Sequence, residues 1–335
     1  MRPIPIFLSF SCFAAALCFG LTLPTSVFSS DTKRFEVVYE AHTEGLPDHG
    51  RIARVWIPVP PEDEAQGLLD LKVSSPFPYT MSHEPRWGNR IIYFEAPANG
   101  NGFDFKMSFV VERHEITQGK PSLSNIGEVD QQTFSLFLEP SSFAVHDDRV
   151  RRYSKTAVGD AVDIMDKARG IYEFTLENMD YAKNNGSGKG DVKSICLAIG
   201  GGGKGFGNCT DFHSFFTSLM QVQGIPVMFE MGFPLSMEKQ GAVTGGYHCW
   251  AKFFVPGRGW FPVDISEADK DQSKKEYFFG SIDADRVLFS RGRDIVLNPP
   301  QEAKPLNFFG PDPYMEIDGK PFTGFTRTIT YKPVQ

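Results

Sequence analysis

From Arg34 to Ile116 apolar and polar residues alternate in short runs: Phe35, Val37 and Tyr39; Val55, Ile57 and Val59; Phe103, Phe105, Met107, Phe109 and Val111. A period of two puts successive apolar side chains on one face of an extended chain, so each run predicts a half-buried strand. Proline, glycine and asparagine clusters separate the runs, and no helical spacing interrupts them. The pattern predicts an antiparallel sheet or sandwich forming an N-terminal β domain over residues 30–116. Residues 117–158 are mixed and charged, with Asp147-Asp148-Arg149 and Arg151-Arg152, and are expected to be a linker.

The period then changes. Ala161, Met165, Ala168, Tyr172, Leu176 and Met179 recur three or four apart, which predicts a helix with one apolar face, with Asp160 as its cap. A turn follows at Asn184-Asn185-Gly186-Ser187-Gly188, and then a glycine tract from Gly200 to Gly207. Cys209 to Gln223 reads as a second helix, with Phe212, Phe216, Leu219 and Met220 inward, stopped by Gly224 and Pro226. Short strands are predicted at Val227–Met231, His248–Val255 and Trp260–Asp264, the last two joined by Pro256-Gly257-Arg258-Gly259. After Pro299-Pro300, Tyr314–Ile317, the turn Asp318-Gly319 and Thr326–Tyr331 predict a closing hairpin. The expected layout is therefore a core over 159–298 and a hairpin over 299–335.

Composition narrows the function. Among 335 residues, 34 Lys and Arg stand against 41 Asp and Glu, a net charge of −7, which excludes a binder driven by nucleic-acid phosphates. The 31 Phe exclude a disordered chain. The glycine tract is not a nucleotide loop, because Lys204 is followed by Gly205 rather than Ser or Thr.

Residues 1–29 carry Arg2, an apolar stretch from Ile4 to Leu23, and a small-residue end around Ser26 and Ser29, which reads as a secretory signal peptide. A membrane anchor is the competing reading, disfavoured by Pro3, Pro5 and Pro24; Leu17 before Cys18 argues against a lipoprotein. No later run is long and apolar enough to span a bilayer. The mature chain is expected in the periplasm or secreted, without stable membrane insertion. Of the five cysteines, Cys12 and Cys18 leave with the signal, and Cys196, Cys209 and Cys249 remain. In an oxidising compartment that odd number leaves either an accidental free thiol or one kept for its reactivity; Cys196 with Cys249 is the most plausible pair.

Cys209 sits where a glycine-rich loop enters a helix, so the helix dipole and unpaired first-turn amides favour its thiolate. Taken alone, a cysteine is more often a small buried apolar residue. His248 opens one predicted strand and Asp264 closes the next, sixteen positions later. On adjacent antiparallel strands the carboxylate orients the imidazole, and the free ring nitrogen faces the thiol: a Cys-His-Asp triad. Three neighbours have plainer readings. His213, four residues after Cys209, has helical spacing for zinc, but no second ligand pair supports it, so no metal is expected. Asp211 reads as a helix-dipole partner. Trp250 and Trp260 either wall the site or pack its core.

The motifs Gly207-Asn208-Cys209-Thr210-Asp211-Phe212, Gly224-Ile225-Pro226, Gly246-Tyr247-His248-Cys249-Trp250-Ala251 and Gly259-Trp260-Phe261-Pro262-Val263-Asp264 resemble those of the transglutaminase-like superfamily. The likeness covers about residues 160–270. It implies an α+β fold: a papain-like core of helices packed on an antiparallel sheet, preceded by the β domain. It also implies Cys209 as nucleophile, His248 as base and Asp264 as orienting acid, with Asn208, Tyr247, Trp250 and Trp260 lining the site. Related folds often take an oxyanion donor from a Gln upstream of the cysteine; glycine stands there, and Tyr181 is the substitute candidate. No cofactor is implied, and the substrate expected is a protein or peptide with a carboxamide or amide bond. Members of such a group crosslink, hydrolyse amides or have lost activity, so a thiol hydrolase or acyltransferase working through a thioester stands beside an envelope scaffold protein with a vestigial site.

Overall fold

The computed structural model describes residues 27–48, 51–117, 129–182, 188–243 and 246–334. Most of the expected signal, residues 1–26, lies outside them, as does most of the turn around Asn184. The first strand begins at Val27, inside the last three signal positions.

Six strands come first: β1 (Val27–Thr43), β2 (Arg51–Val59), β3 (Gln66–Ser74), β4 (Tyr79–His83), β5 (Arg90–Ala98) and β6 (Phe103–Thr117). The alternation seen in the sequence is what they bury. Phe35, Val37, Tyr39 and Ala41 of β1 lie opposite Val111, Phe109, Met107 and Phe105 of β6, and all are buried. One sheet runs β1–β6 with β3 on β6, and a second runs β2–β5–β4. Their inner faces share one core, in which each fully buried Phe contributes about 1.5–3 kcal/mol.

A mixed segment follows: α1 (Ser135–Leu138), α2 (Asp148–Val158), α3 (Ile164–Asn178), β7 (Met179–Tyr181), α4 (Val192–Gly200), β8 (Gly205–Gly207) and α5 (Cys209–Gln221). Then come β9 (Val227–Pro234), β10 (Gly241–Val243), β11 (His248–Val255), β12 (Gly259–Val263), α6 (Ile265–Lys270), β13 (Ser281–Ile282), β14 (Arg286–Arg291), β15 (Tyr314–Ile317), β16 (Lys320–Pro321) and β17 (Thr326–Val334). A four-stranded sheet in the order β12–β11–β9–β14 carries α5 across it, with α2, α3 and α4 packed outside. This is the expected α+β architecture.

Several details correct the sequence reading. The stretch expected as a linker contains α2, whose Val150 and Ser154 are buried with the helical core. Gly159, at φ +53°, ends α2 and uses Asp160 in the turn, so Asp163 caps α3 instead, accepting from the amide of Met165 at 2.7 Å. The helix of Cys209 is not amphipathic in its setting: all of its residues are buried, because sheet and outer helices enclose it.

The closing hairpin is made only in short form: Lys320 and Pro321 of β16 turn back on β15 across Asp318-Gly319, the Phe322 amide donates to the Met315 carbonyl at 2.9 Å, and Thr326–Tyr331 is not its second arm. The chain then crosses over, so β15 joins β2 while β17 pairs with β1 and β10. The N-terminal β unit is not closed on itself either. Phe233 and Leu235 from the end of β9, with Val287 and Phe289 of β14, enter its core.

Candidate active site

The glycine tract builds the approach to Cys209. Gly200 to Gly203 close the end of α4, and β8 then pairs in parallel with β7, placing Tyr181 opposite Gly207. Gly207 is required: a Cβ there would meet the Asp211 carboxylate at 2.3–2.5 Å. That carboxylate folds back to accept from the amides of Asn208 at 3.1 Å and of Gly188 and Gly190, both at 3.0 Å. Asn208 completes a capping box by accepting from the amide of Thr210 at 2.9 Å. Asp211 is thus a loop anchor as well as a first-turn acid. Cys209 opens the helix and is only 3% exposed.

His248 and Asp264 arrive on neighbouring strands. Ala251 of β11 pairs with Val263 of β12, so Asp264 leaves β12 beside the first residues of β11. His248 Nε2 stands 2.7 Å from Asp264 Oδ2. Asp264 also caps α6, its Oδ1 accepting from Ser266 Oγ at 3.1 Å and the Glu267 amide at 3.2 Å. Arg286 Nη1 donates to the same Oδ2 at 2.7 Å. With Nε2 committed to Asp264, Nδ1 is the ring nitrogen left for the Cys209 sulfur, which raises the imidazole.

The electrostatics follow. Burial pushes Asp264 up, but His248 and Arg286 outweigh it and hold the carboxyl well below its usual range. Burial pushes His248 down, and the charge and hydrogen bond of Asp264, with Cys209 behind, lift it to about 10. The hydrogen bond from the Cys249 thiol, opposed by burial and reinforced by His248, holds Cys209 well below the usual thiol range. The two shifts run in opposite directions, the thiol lowered and the imidazole raised, and each favours the charged form of its group.

Two residues that sequence reasoning placed elsewhere complete this cluster. His213 is fully buried on α5, with Nδ1 2.7 Å from the Cys209 carbonyl and Nε2 3.1 Å from the Ile265 amide. A carbonyl only accepts and an amide only donates, so the ring is neutral with its proton on Nδ1. It bridges the helix of Cys209 to the turn of Asp264. Cys249 is not disulfide-bonded to Cys196, since all three cysteines are free. Cys249 lies fully buried beside Cys209, its sulfur 3.7 Å from Thr210 Oγ1. Cys196 lies on α4 in the helical core, where burial, with Asp147 next, pushes its thiol up to about 12. Spacing in sequence carries no information about that separation.

The remaining expected residues divide. The Tyr247 hydroxyl accepts from Asn208 Nδ2 at 2.9 Å and Thr210 Oγ1 at 3.2 Å, and donates to the Gly188 carbonyl at 3.3 Å, tying a loop to the start of α5. Tyr181, under the ammonium of Lys270 at 4.1 Å, borders the same cleft as His248. Trp250 is buried beneath the site, 6.0 Å from the His248 ring, and donates to Glu230. Trp260 is not at the site. It lies opposite Phe254, six residues or about 20 Å along β11 from His248, and packs on Phe254 and Phe137.

Tyr181, Leu235, Tyr247, Lys270 and Arg286 line an open cleft of about 270 Å³ at His248. His248, Asp264 and Glu267 place one ligand-type atom each within 4.8 Å of one another. The Asp264 oxygens already take an imidazole, a guanidinium, a hydroxyl and an amide, and a metal ion would stand beside the Arg286 cation. A metal ion there would have to displace those donors.

Residues 151–265, about a third of the chain, match the model of the transglutaminase-like superfamily. An uncharacterized protein of Haemophilus influenzae is 27% identical over a 333-residue alignment covering 88% of this chain and 87% of that protein. A solved structure of a candidate cysteine protease from Cytophaga hutchinsonii superposes with a TM-score of 0.57 at 15% identity, over 91% of this chain and 100% of its own. That likeness shows a shared fold across the β unit and the core together. The periplasmic domain of TgpA from Pseudomonas aeruginosa aligns over 72% of this chain and 92% of its own at 13% identity, with a TM-score of 0.34.

Proposed function

We propose that this chain, which carries a transglutaminase-like core over residues 151–265, is an exported cysteine-dependent hydrolase of amide or peptide bonds. The observation that carries the reading is the hydrogen-bonded row Cys209, His248 and Asp264, with His248 Nε2 2.7 Å from the carboxylate. Cys209 Sγ attacks the carbonyl carbon, and the tetrahedral oxyanion is met by the amide of Cys209 and the hydroxyl of Tyr181. The first-turn amides of Asn208, Thr210 and Asp211 already have acceptors, which points to that of Cys209. The His248 imidazolium protonates the leaving nitrogen as the C–N bond breaks, leaving a thioester. Water, its proton taken by His248, then attacks the thioester and restores the thiolate.

Hydrolysis is favoured over transfer to an amine because the cleft is open and bordered by the charged side chains of Glu267, Lys270 and Arg286, so water accompanies the acyl group. Peptide or protein amides are the substrate class. Export rests on the apolar stretch from Ile4 to Leu23. Among the described residues no helix is long and apolar enough to cross a membrane.

The test incubates the purified chain and its Cys209→Ala variant with glutamine-containing peptides, with and without a primary amine. Mass spectrometry should show hydrolysed product with the active cysteine only, and the same product when amine is present. Predominant amine adduct makes the protein an acyltransferase. No turnover on any amide, with Cys209 unreactive to alkylation, removes the enzymatic reading.

A further inference from the structure

Arg286 belongs to no motif legible in the chain and lies outside the matched segment 151–265. Its guanidinium is buried, 3% exposed, and both ends of its fork are committed. Nη1 donates to Asp264 Oδ2 at 2.7 Å; Nε and Nη2 hold the two oxygens of Asp283 at 3.2 and 3.0 Å. The Trp250 ring lies 5.0 Å beneath it. Asp283 is fixed in turn by the amide of Asp285 at 3.1 Å. The row therefore extends by two members: Asp283, Arg286, Asp264, His248.

We infer that Arg286 is a positioning residue for the reaction, holding the Asp264 carboxylate in the orientation that directs His248 toward Cys209. The inference deepens the proposed function and rests on it. Two donors, His248 Nε2 and Arg286 Nη1, converge on the single oxygen Oδ2 at 2.7 Å each, while Oδ1 takes Ser266 and the Glu267 amide. Removing Arg286 leaves a fully buried carboxylate with one counter-charge and one donor fewer, its Oδ2 held by His248 alone.

The origin of this residue also gives the β unit a role in the site. Asp283 follows β13, and Ser281 and Ile282 of that strand pair with Thr117 and Ile116 at the end of β6. The turn that holds Arg286 is thus stitched to the N-terminal sheet. The β unit thereby acts as a jig for the acid of the triad.

A lysine cannot replace the fork, since one ammonium spans at most one of the two carboxylates at this geometry. The groups facing Asp264 are His248 and Cys249 from β11, His213 from α5, Tyr172 from α3, Glu267 and Lys270 on its own helix and Arg286 from β14, with Asp283 behind it. Loss of the guanidinium removes a positive charge from that set, so Asp264 protonates at higher pH and the acid limb of Cys209 reactivity moves up.

The experiment measures iodoacetamide alkylation of the Cys209 peptide by mass spectrometry across pH, with kcat and KM on an amide substrate, for Arg286→Met and Arg286→Lys. Folding is checked by circular dichroism. Expected for R286M is an acid limb of Cys209 alkylation displaced upward by about one unit, a loss of about tenfold at a fixed pH on that limb, with kcat lowered and KM little changed. R286K should recover the fold and part of the rate, with its acid limb still displaced. A folded R286M with the wild-type pH profile overturns the inference. If R286M does not fold, R286K decides: a profile and kcat equal to wild type overturn it. Alkylation needs no substrate, so failure to find a cleavable amide counts against the proposed function and not against this role.

Discussion

His248 Nε2 lies 2.7 Å from Asp264 Oδ2, and that oxygen also takes Arg286 Nη1 at 2.7 Å, so the base is oriented by a carboxylate that is itself clamped. The imidazole is lifted to about 10 against its own burial by the charge of Asp264. Turnover that needs the imidazolium to protonate a leaving nitrogen is therefore expected to persist through neutral pH and fall as pH rises through about 10. Asp264→Asn removes the charge that raises the imidazole, so the alkaline limb should move to lower pH and kcat should fall by several orders of magnitude. A pH–rate profile of wild type and D264N reads both; an alkaline limb unmoved in D264N contradicts the assignment.

Cys249 lies beside Cys209 and is the largest influence lowering that sulfur. Cys249→Ala should raise the apparent ionisation of Cys209 by about one unit, since a hydrogen bond to a charged group is worth about 1.5–3 kcal/mol and a thiol is a weak donor. The pH dependence of Cys209 alkylation measures it. The variant should keep the fold, because alanine loses only the sulfur.

His213 joins two backbone atoms, the Cys209 carbonyl and the Ile265 amide. His213→Leu leaves the Ile265 amide buried and unpaired, at about 1–3 kcal/mol, while the Cys209 carbonyl keeps the backbone bond of its own helix. Urea unfolding should show a loss of about 1–3 kcal/mol. A loss below about 1 kcal/mol would mean that the bridge is not made.

Chelators should leave both amide turnover and Cys209 alkylation unchanged, because the oxygens of Asp264 are committed to four protein donors. Loss of turnover with EDTA and recovery with a divalent cation would contradict the hydrogen-bonded reading of His248, Asp264 and Glu267.

Much of this was legible in the chain where the relationship is local or set by adjacent strands. The alternation of Phe35 to Tyr39 and of Phe103 to Val111 is the buried face of β1 and β6. His248 and Asp264 meet because β11 and β12 are consecutive and antiparallel. What was not legible depends on elements distant in sequence. Arg286 reaches Asp264 although β14 pairs with β9 and not with β12, and nothing in the residues around it announces that order. Trp260 shares a motif with Asp264, yet strand geometry carries it to the other end of β12, where Phe254 and Phe137 meet it. Thr326–Tyr331 reads as the partner of Tyr314–Ile317, but Lys320 and Pro321 take that place on β15 and the later strand pairs with β1 in the other sheet. Cys196 and Cys249 are a plausible pair by count alone, whereas one belongs to the outer helical layer and the other lies against Cys209.

The most direct test titrates the thiolate absorbance of the folded protein, taking the difference between wild type and Cys209→Ala to isolate one sulfur, and repeats it in a His248→Ala background. The account predicts that Cys209 ionises well below the usual thiol value of about 8.5 and returns toward it without His248. A Cys209 that titrates like a free thiol in the wild type, or one whose ionisation does not respond to loss of His248, contradicts it.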